Sequence, residues 1–159
     1  MFENLSSLFS ALGLGYLVLT AYPLAKTDIL ERRLPNKYVI PAFPITWLGQ
    51  VLAGFFGAGF VNMLWAFIAA AVTFALALAI NYLGLLGMGD VKLMTAMSLS
   101  LGWYSPILPI IAIGISFLIA GATALGLLVS KRIKLGGSMA LGPYLLAGFL
   151  GTITLVVWS

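Results

Sequence analysis

The chain has 159 residues, of which 62% are hydrophobic and only 8% are charged, whereas about a quarter of the residues in a soluble domain are charged. This composition predicts an integral membrane protein. The absence of cysteine and histidine excludes disulfides, thiolate or histidine metal sites and a serine–histidine triad. The net charge of +4 does not indicate nucleic acid as a partner, because basic residues in membrane proteins usually mark the cytoplasmic side.

Charged residues divide the chain into long apolar blocks. Uncharged blocks cover residues 4 to 25, 38 to 89, 93 to 130 and 135 to 159. A helix needs about 20 apolar residues to cross a membrane, so these blocks allow one, two, two and one crossings. The sequence therefore predicts one domain over residues 1 to 159, an all-α polytopic membrane bundle with six transmembrane helices. Their expected ranges are residues 6 to 25, 38 to 57, 60 to 83, 90 to 102, 105 to 129 and 139 to 158.

The distribution of positive charge predicts the orientation of this bundle. With six crossings, the loops at residues 26 to 37, 84 to 92 and 130 to 138 share one face and contain all eight lysines and arginines. The positive-inside rule places these loops in the cytoplasm and both termini outside. The fourth helix is short for a crossing, but merging it with the fifth would move the last basic loop to the outer face.

Glycine and proline support the predicted helix ends. Glycine clusters at residues 54 to 59 and 136 to 137 predict turns, and Pro106 and Pro109 suit the start of the fifth helix. Gly142 and Pro143 are expected to shape the start of the last helix rather than to contact a substrate.

Two aspartates are the candidates for chemistry, because ionisable groups at membrane depth are costly. Asp90 lies in the stretch LLGMGDVKLM with Gly87 and Gly89. It could cap the following helix, with the glycines shaping the turn, or its carboxylate could project into a water-accessible site. Asp28, in the stretch KTDILERRLPN, could pair with Arg32 one helical turn later or belong to the same site.

The six-helix topology places Asp28 and Asp90 on the same face. Two carboxylates in one partly buried site share a proton, so the ionised member can activate a water while the protonated one polarises a carbonyl. This is aspartic peptidase chemistry, and we expect neither a metal ion nor a cofactor. Lys92 could be a charge partner of Asp90 or could tune its pKa.

Three segments resemble the type IV prepilin peptidase family. GMGDVKL matches the signature GxGD-x-K-[LM], and Asp28 with Leu34, Pro35 and Asn36 matches the element D-x6-P-[ND]. LGPYLLAG is similar to the FGPyLalG segment of the last helix, although Ala140 stands where many relatives have proline. The segments lie in the family's order, and the resemblance covers nearly the whole chain.

The resemblance implies a function and a set of site residues. Asp28 and Asp90 would be the catalytic pair, and the supporting residues would be Gly87, Gly89, Lys92, Pro35 and Asn36. The expected activity is removal of the basic leader of prepilin or pseudopilin precursors, for a type IV pilus or protein secretion, at the cytoplasmic face of the inner or plasma membrane. Larger relatives carry an N-terminal insertion associated with methylation. This chain lacks it, so methylation is not expected.

Two other functions remain open from the sequence. A small proton- or ion-coupled transporter could use Asp28, Asp90 and Lys92, although transporters more often place such groups near the middle of the membrane. A noncatalytic assembly factor is the other alternative, but it explains neither aspartate. The basic cluster from Arg32 to Lys37 is interpreted as a topology signal or as a contact with the headgroups of anionic membrane lipids.

The predicted topology can be tested by cysteine labelling, since the natural chain has no cysteine. Single cysteines beside Arg33 and Lys131 should be protected from a membrane-impermeant thiol reagent added outside intact cells. A cysteine beside Ser159 should react with the same reagent. Labelling beside Lys131 from outside would contradict the arrangement with six crossings.

Overall fold

Helices account for nearly all of the chain in a computed structural model that describes residues 2–131 and 140–158. The helices are α1 (Phe2–Ser10), α2 (Leu12–Glu31), α3 (Asn36–Ala53), α4 (Val61–Tyr82), α5 (Met88–Gly102), α6 (Leu108–Val129) and α7 (Gly142–Trp158). A π-helical turn, Gly54–Ala58, follows α3. The described residues contain no strand, which confirms the expected all-α class.

The first predicted helix, residues 6 to 25, is bent and extends further than expected. α1 and α2 form a helix pair bent by 40°, and α2 continues to Glu31. It ends where Arg32 adopts a left-handed conformation with φ 51°. Pro35 disfavours a helical conformation at Leu34, so the helix does not resume before α3. The loop predicted at residues 26 to 37 is therefore only four residues long, and Asp28 lies on a helix.

The other predicted helices agree with the structure to within a few residues. The turn after α3 requires glycine, because Gly57 and Gly59 have φ values of 106° and 72°. α5 begins at Met88 rather than at residue 90, and Pro109 lies in the first turn of α6 as expected. The glycine turn predicted at residues 136 to 137 lies outside the described residues.

α5 is the central helix of the bundle. It packs against α2, α3, α4, α6 and α7, and every residue from Leu93 to Gly102 is buried. Because its neighbours enclose it, α5 can carry hydroxyl side chains that find partners inside the protein. Thr73 of α4 donates to the Ser98 hydroxyl at 2.9 Å, and Ser100 donates to a backbone carbonyl of its own helix at 3.1 Å.

The outer helices expose apolar side chains, as expected of a membrane protein. By length and composition, three segments among the described residues can cross a membrane: Asn36–Gly57, Val61–Tyr82 and Leu108–Val129. The bent pair of α1 and α2 would make a fourth. α5 and α7 have only 15 and 17 residues. The crossing number of six and the orientation of the termini therefore stay predictions.

Gly148 of α7 lies in close contact with α6. A Cβ atom at this position would meet the Ser116 hydroxyl and the Ala112 carbonyl oxygen, so only glycine allows this approach. Gly148→Val should lower the free energy of unfolding by about 1–3 kcal/mol, the usual cost of overpacking. Gly151→Val, where nothing lies within 4 Å, is the control in the same helix. Equal melting temperatures of the two variants in detergent would contradict this view of the contact.

Candidate active site

Four helix ends meet at one end of the bundle. They are the C-terminal end of α2 and the N-terminal ends of α3, α5 and α7. The first three border a cavity of roughly 300 Å³, and α7 reaches the site through the bond from Gly142 to Asp28. The cavity is lined by Asp28, Arg32, Arg33, Leu34, Asn36, Gly87, Met88, Gly89, Asp90 and Lys92. The structure therefore brings both aspartates, both glycines of the GMGD stretch, Lys92 and Asn36 to one place.

Asp28 projects from the last turns of α2 and is only 5% exposed. Its Oδ2 atom accepts a hydrogen bond of 2.8 Å from the backbone N–H of Gly142, which lies 114 residues away and is the first residue of α7. The start of α7 at Gly142 agrees with the expectation that Gly142 and Pro143 shape a helix start. The first N–H groups of a helix carry partial positive charge, so this position favours a carboxylate.

Asp90 is not the N-cap residue of α5, but its carboxylate accepts a hydrogen bond from the backbone amide of Gly87, as the capping interpretation expects of the first free amides. The N-cap is Gly87, because the helix begins two residues earlier than predicted, and Asp90 is the third residue of the first turn. Its side chain lies back against the cap, since a Cβ atom on Gly87 would be only 3.0 Å from Asp90 Oδ2. The first turn of α5 holds the carboxylate beside the cavity.

The environment of Asp90 favours its protonated form. This residue lies outside the helices that are long enough to span a membrane. Burial, and after it the negative charge of Asp28, raise the pKa of Asp90 to about 6, while the Gly87 backbone amide lowers it in part. Two carboxylates in one site repel each other. The effect of Asp28 on the pKa of Asp90 therefore means that the two side chains are close enough to interact electrostatically.

Lys92 links the starts of α5 and α3 at the site. Its Nζ atom donates a hydrogen bond of 3.1 Å to Oδ1 of Asn36, the first residue of α3. The bond joins α5 to α3 at the rim of the cavity. The predicted roles of Lys92, as a charge partner of Asp90 or as a group that tunes its pKa, stay predictions.

Pro35 does not line the cavity but caps α3 in an extended conformation. The short loop before α3 turns Leu34 inward, where it is 9% exposed. Leu34 lies against two glycines, since Cβ atoms on Gly89 and Gly142 would be 3.0 Å and 3.1 Å from its side-chain atoms. The role of Gly89 is therefore to let the loop approach the start of α5.

Five residues of this region were not among the predicted site residues: Arg32, Arg33, Leu34 and Met88, which line the cavity, and Gly142, which binds Asp28. Leu34 and Gly142 lie within the matched segments, LPN and LGP. The bond between Gly142 and Asp28 depends on the approach of α7 to the end of α2, which no local pattern reports.

The fold and the site define a helical membrane protein with two interacting carboxylates in a cavity at one end of its bundle. The chain matches the model of the type IV leader peptidase family over residues 13–157, and it belongs to this family. Membership makes it a peptidase of the prepilin leader type and confirms the resemblance seen in the sequence. Neither a curated protein nor a solved structure matches the chain.

The raised pKa of Asp90 predicts how stability depends on pH. The folded chain holds this proton more tightly than the unfolded chain, whose pKa is 3.8, so the stabilisation is full below about pH 4 and is lost as the pH rises through about 6. Asp90→Asn mimics the neutral acid. We therefore expect it to raise the melting temperature in detergent above pH 7 and to change it little near pH 4.

The control for this measurement is Glu31→Gln, which alters an exposed carboxylate at the end of the same α2 helix that carries Asp28. An effect of Asp90→Asn that is equal at all three pH values, about 4, 6 and 8, would show that its charge is not the cause.

Proposed function

We propose that the chain is a membrane aspartic endopeptidase in which Asp28 and Asp90 act together on the leader of prepilin-like precursors. The observation that carries the proposal is the shared cavity, which both carboxylates line. The raised pKa of Asp90, caused in part by Asp28, is the electrostatic property that such a pair requires. The family supplies the reaction class, since its members are leader peptidases.

In this proposal, one proton is shared by the two carboxyl groups before the reaction. The ionised aspartate accepts a proton from a water molecule, whose oxygen attacks the carbonyl carbon of the scissile peptide. The protonated aspartate donates a hydrogen bond to the carbonyl oxygen and stabilises the negative charge that develops there. When the tetrahedral intermediate breaks its C–N bond, the leaving nitrogen takes up a proton, and the pair returns to its single-proton state.

The substrate would reach this site from the membrane. We propose that the apolar helix of the precursor lies in the bilayer beside the helices of the enzyme, while its leader stays in the cytoplasm. The proposal places the site at the cytoplasmic face of the inner or plasma membrane, with six crossings and both termini outside. It is supported by the basic residues that line the cavity, which are Arg32, Arg33 and Lys92. A role in type IV pilus assembly or protein secretion follows from this substrate class.

A transporter has less support. Its carboxylates would be expected near the middle of the bundle, on the path of an ion. Asp28 and Asp90 instead lie where four helices end. The family match also favours a peptidase.

The catalytic pair can be tested by replacing each aspartate with asparagine, which preserves size but cannot share the proton. Asp28→Asn and Asp90→Asn should each lower the rate of prepilin cleavage by about 10²- to 10⁴-fold, the usual contribution of a general acid or base. The double variant should be little slower than either single variant, because the residues act as a unit. The measurement is cleavage of a purified prepilin by purified enzyme.

Glu31→Gln is again the matched control, and it should retain wild-type activity because Glu31 is exposed and does not line the cavity. All variants must first be shown to accumulate in the membrane. Near-normal cleavage by either asparagine variant would refute the catalytic pair.

A further inference from the structure

The backbone N–H of Gly142 donates a hydrogen bond to Oδ2 of the buried Asp28. We propose that Gly142 is a positioning residue of the peptidase, whose N–H fixes the carboxylate of Asp28 for catalysis. This inference rests on the proposed catalytic role of Asp28, and it adds a contribution from α7 to a site otherwise formed by α2, α3 and α5.

The bond from Gly142 limits the rotation of the Asp28 side chain. An aspartate on a helix can rotate about two side-chain bonds, so its backbone does not define which oxygen faces the cavity. The bond from Gly142 holds Oδ2 at 2.8 Å and therefore leaves Oδ1 for a water or a peptide group. Asp28 is only 5% exposed, so solvent competes little with this bond.

Position 142 has no room for a side chain beside Asp28. Backbone conformation does not require glycine at position 142, because the glycines with positive φ in the described residues are Gly57, Gly59 and Gly84. It comes from close approach. A Cβ atom at position 142 would lie 2.6 Å from Asp28 Oδ2 and 3.0 Å from Asp28 Cγ. A methyl group there would have to displace the carboxylate that the neighbouring N–H holds.

The N–H of Gly142 also affects the charge of the Asp28 carboxylate. The N–H of Gly142 belongs to the first turn of a 17-residue helix, where the backbone carries partial positive charge. A donor in this place stabilises the ionised carboxylate more than the neutral acid. Burial disfavours the ionised form of Asp28, and the same bond that orients this side chain offsets part of that cost.

The experiment compares Gly142→Ala with Gly151→Ala, the same substitution in the same helix at a position where nothing lies within 4 Å. Gly142→Ala should lower kcat for prepilin cleavage by about 10- to 100-fold, as expected when a reacting group is misplaced by about 1 Å. KM should change less than about twofold, because Gly142 touches Asp28 and not the substrate. Gly151→Ala should behave as wild type.

The pH profile separates positioning from a general loss of folded enzyme. With the donor displaced, ionisation of the pair requires a higher pH, so the acid limb of kcat should shift upward in Gly142→Ala. A partly unfolded enzyme would lose activity equally at every pH, and that result would overturn the proposal. An unchanged kcat and acid limb in Gly142→Ala would overturn it as well.

Failure of this inference is distinguishable from failure of the proposed function. If Asp28→Asn is inactive while Gly142→Ala equals wild type, the catalytic pair stands and the positioning role falls. If Asp28→Asn is active, the pair itself falls.

A second variant covers the case in which Gly142→Ala does not accumulate. The double variant Leu34→Ala and Gly142→Ala is then measured against Leu34→Ala alone. Leu34→Ala removes Cδ2 of Leu34, which would lie 3.1 Å from the new methyl group.

Discussion

Repulsion between two carboxylates in one cavity is the constraint on which the rest of the structure depends. Asp28 and Asp90 can share a cavity only if their charges are compensated or one of them is neutral. The fold supplies three kinds of compensation: a raised pKa of Asp90, backbone amides of Gly87 and Gly142, and a basic rim. These contributions come from the starts of α5 and α7 and from the end of α2. Assembly of the bundle and assembly of the site are therefore the same event.

The site is held by backbone and by small residues rather than by large side chains. Glycines allow the loop before α3 to approach α5 and α7, and Leu34 fills the space between them. The bond between Lys92 and Asn36 adds one exposed polar link across the rim. Since such contacts tolerate little added volume, substitutions of the site glycines should act on the aspartates even where no catalytic group is changed.

The sequence predicted the helices well because alternating charged and apolar blocks report membrane helices directly. It also predicted that Asp28 and Asp90 lie on one face, since that follows from counting helices. It was wrong about where α2 ends and α5 begins, because charge alone does not stop a helix, whereas the left-handed Arg32 and the cap at Gly87 do. The bond between Gly142 and Asp28 could not be predicted, because it joins residues 114 positions apart through the packing of whole helices.

The enclosure of α5 has a consequence for how the protein is made. A helix of 15 residues is short for a membrane crossing. Thr95 and Ser100 donate to carbonyls of their own helix, whereas Ser98 has its partner on a neighbouring helix. α4 is synthesised immediately before it, is long and apolar, and provides Thr73 as a partner for Ser98. Entry of α4 and α5 into the bilayer as a paired hairpin would satisfy α5 from the outset. In that case the helix that carries Asp90 would depend on its predecessor for insertion as well as for packing.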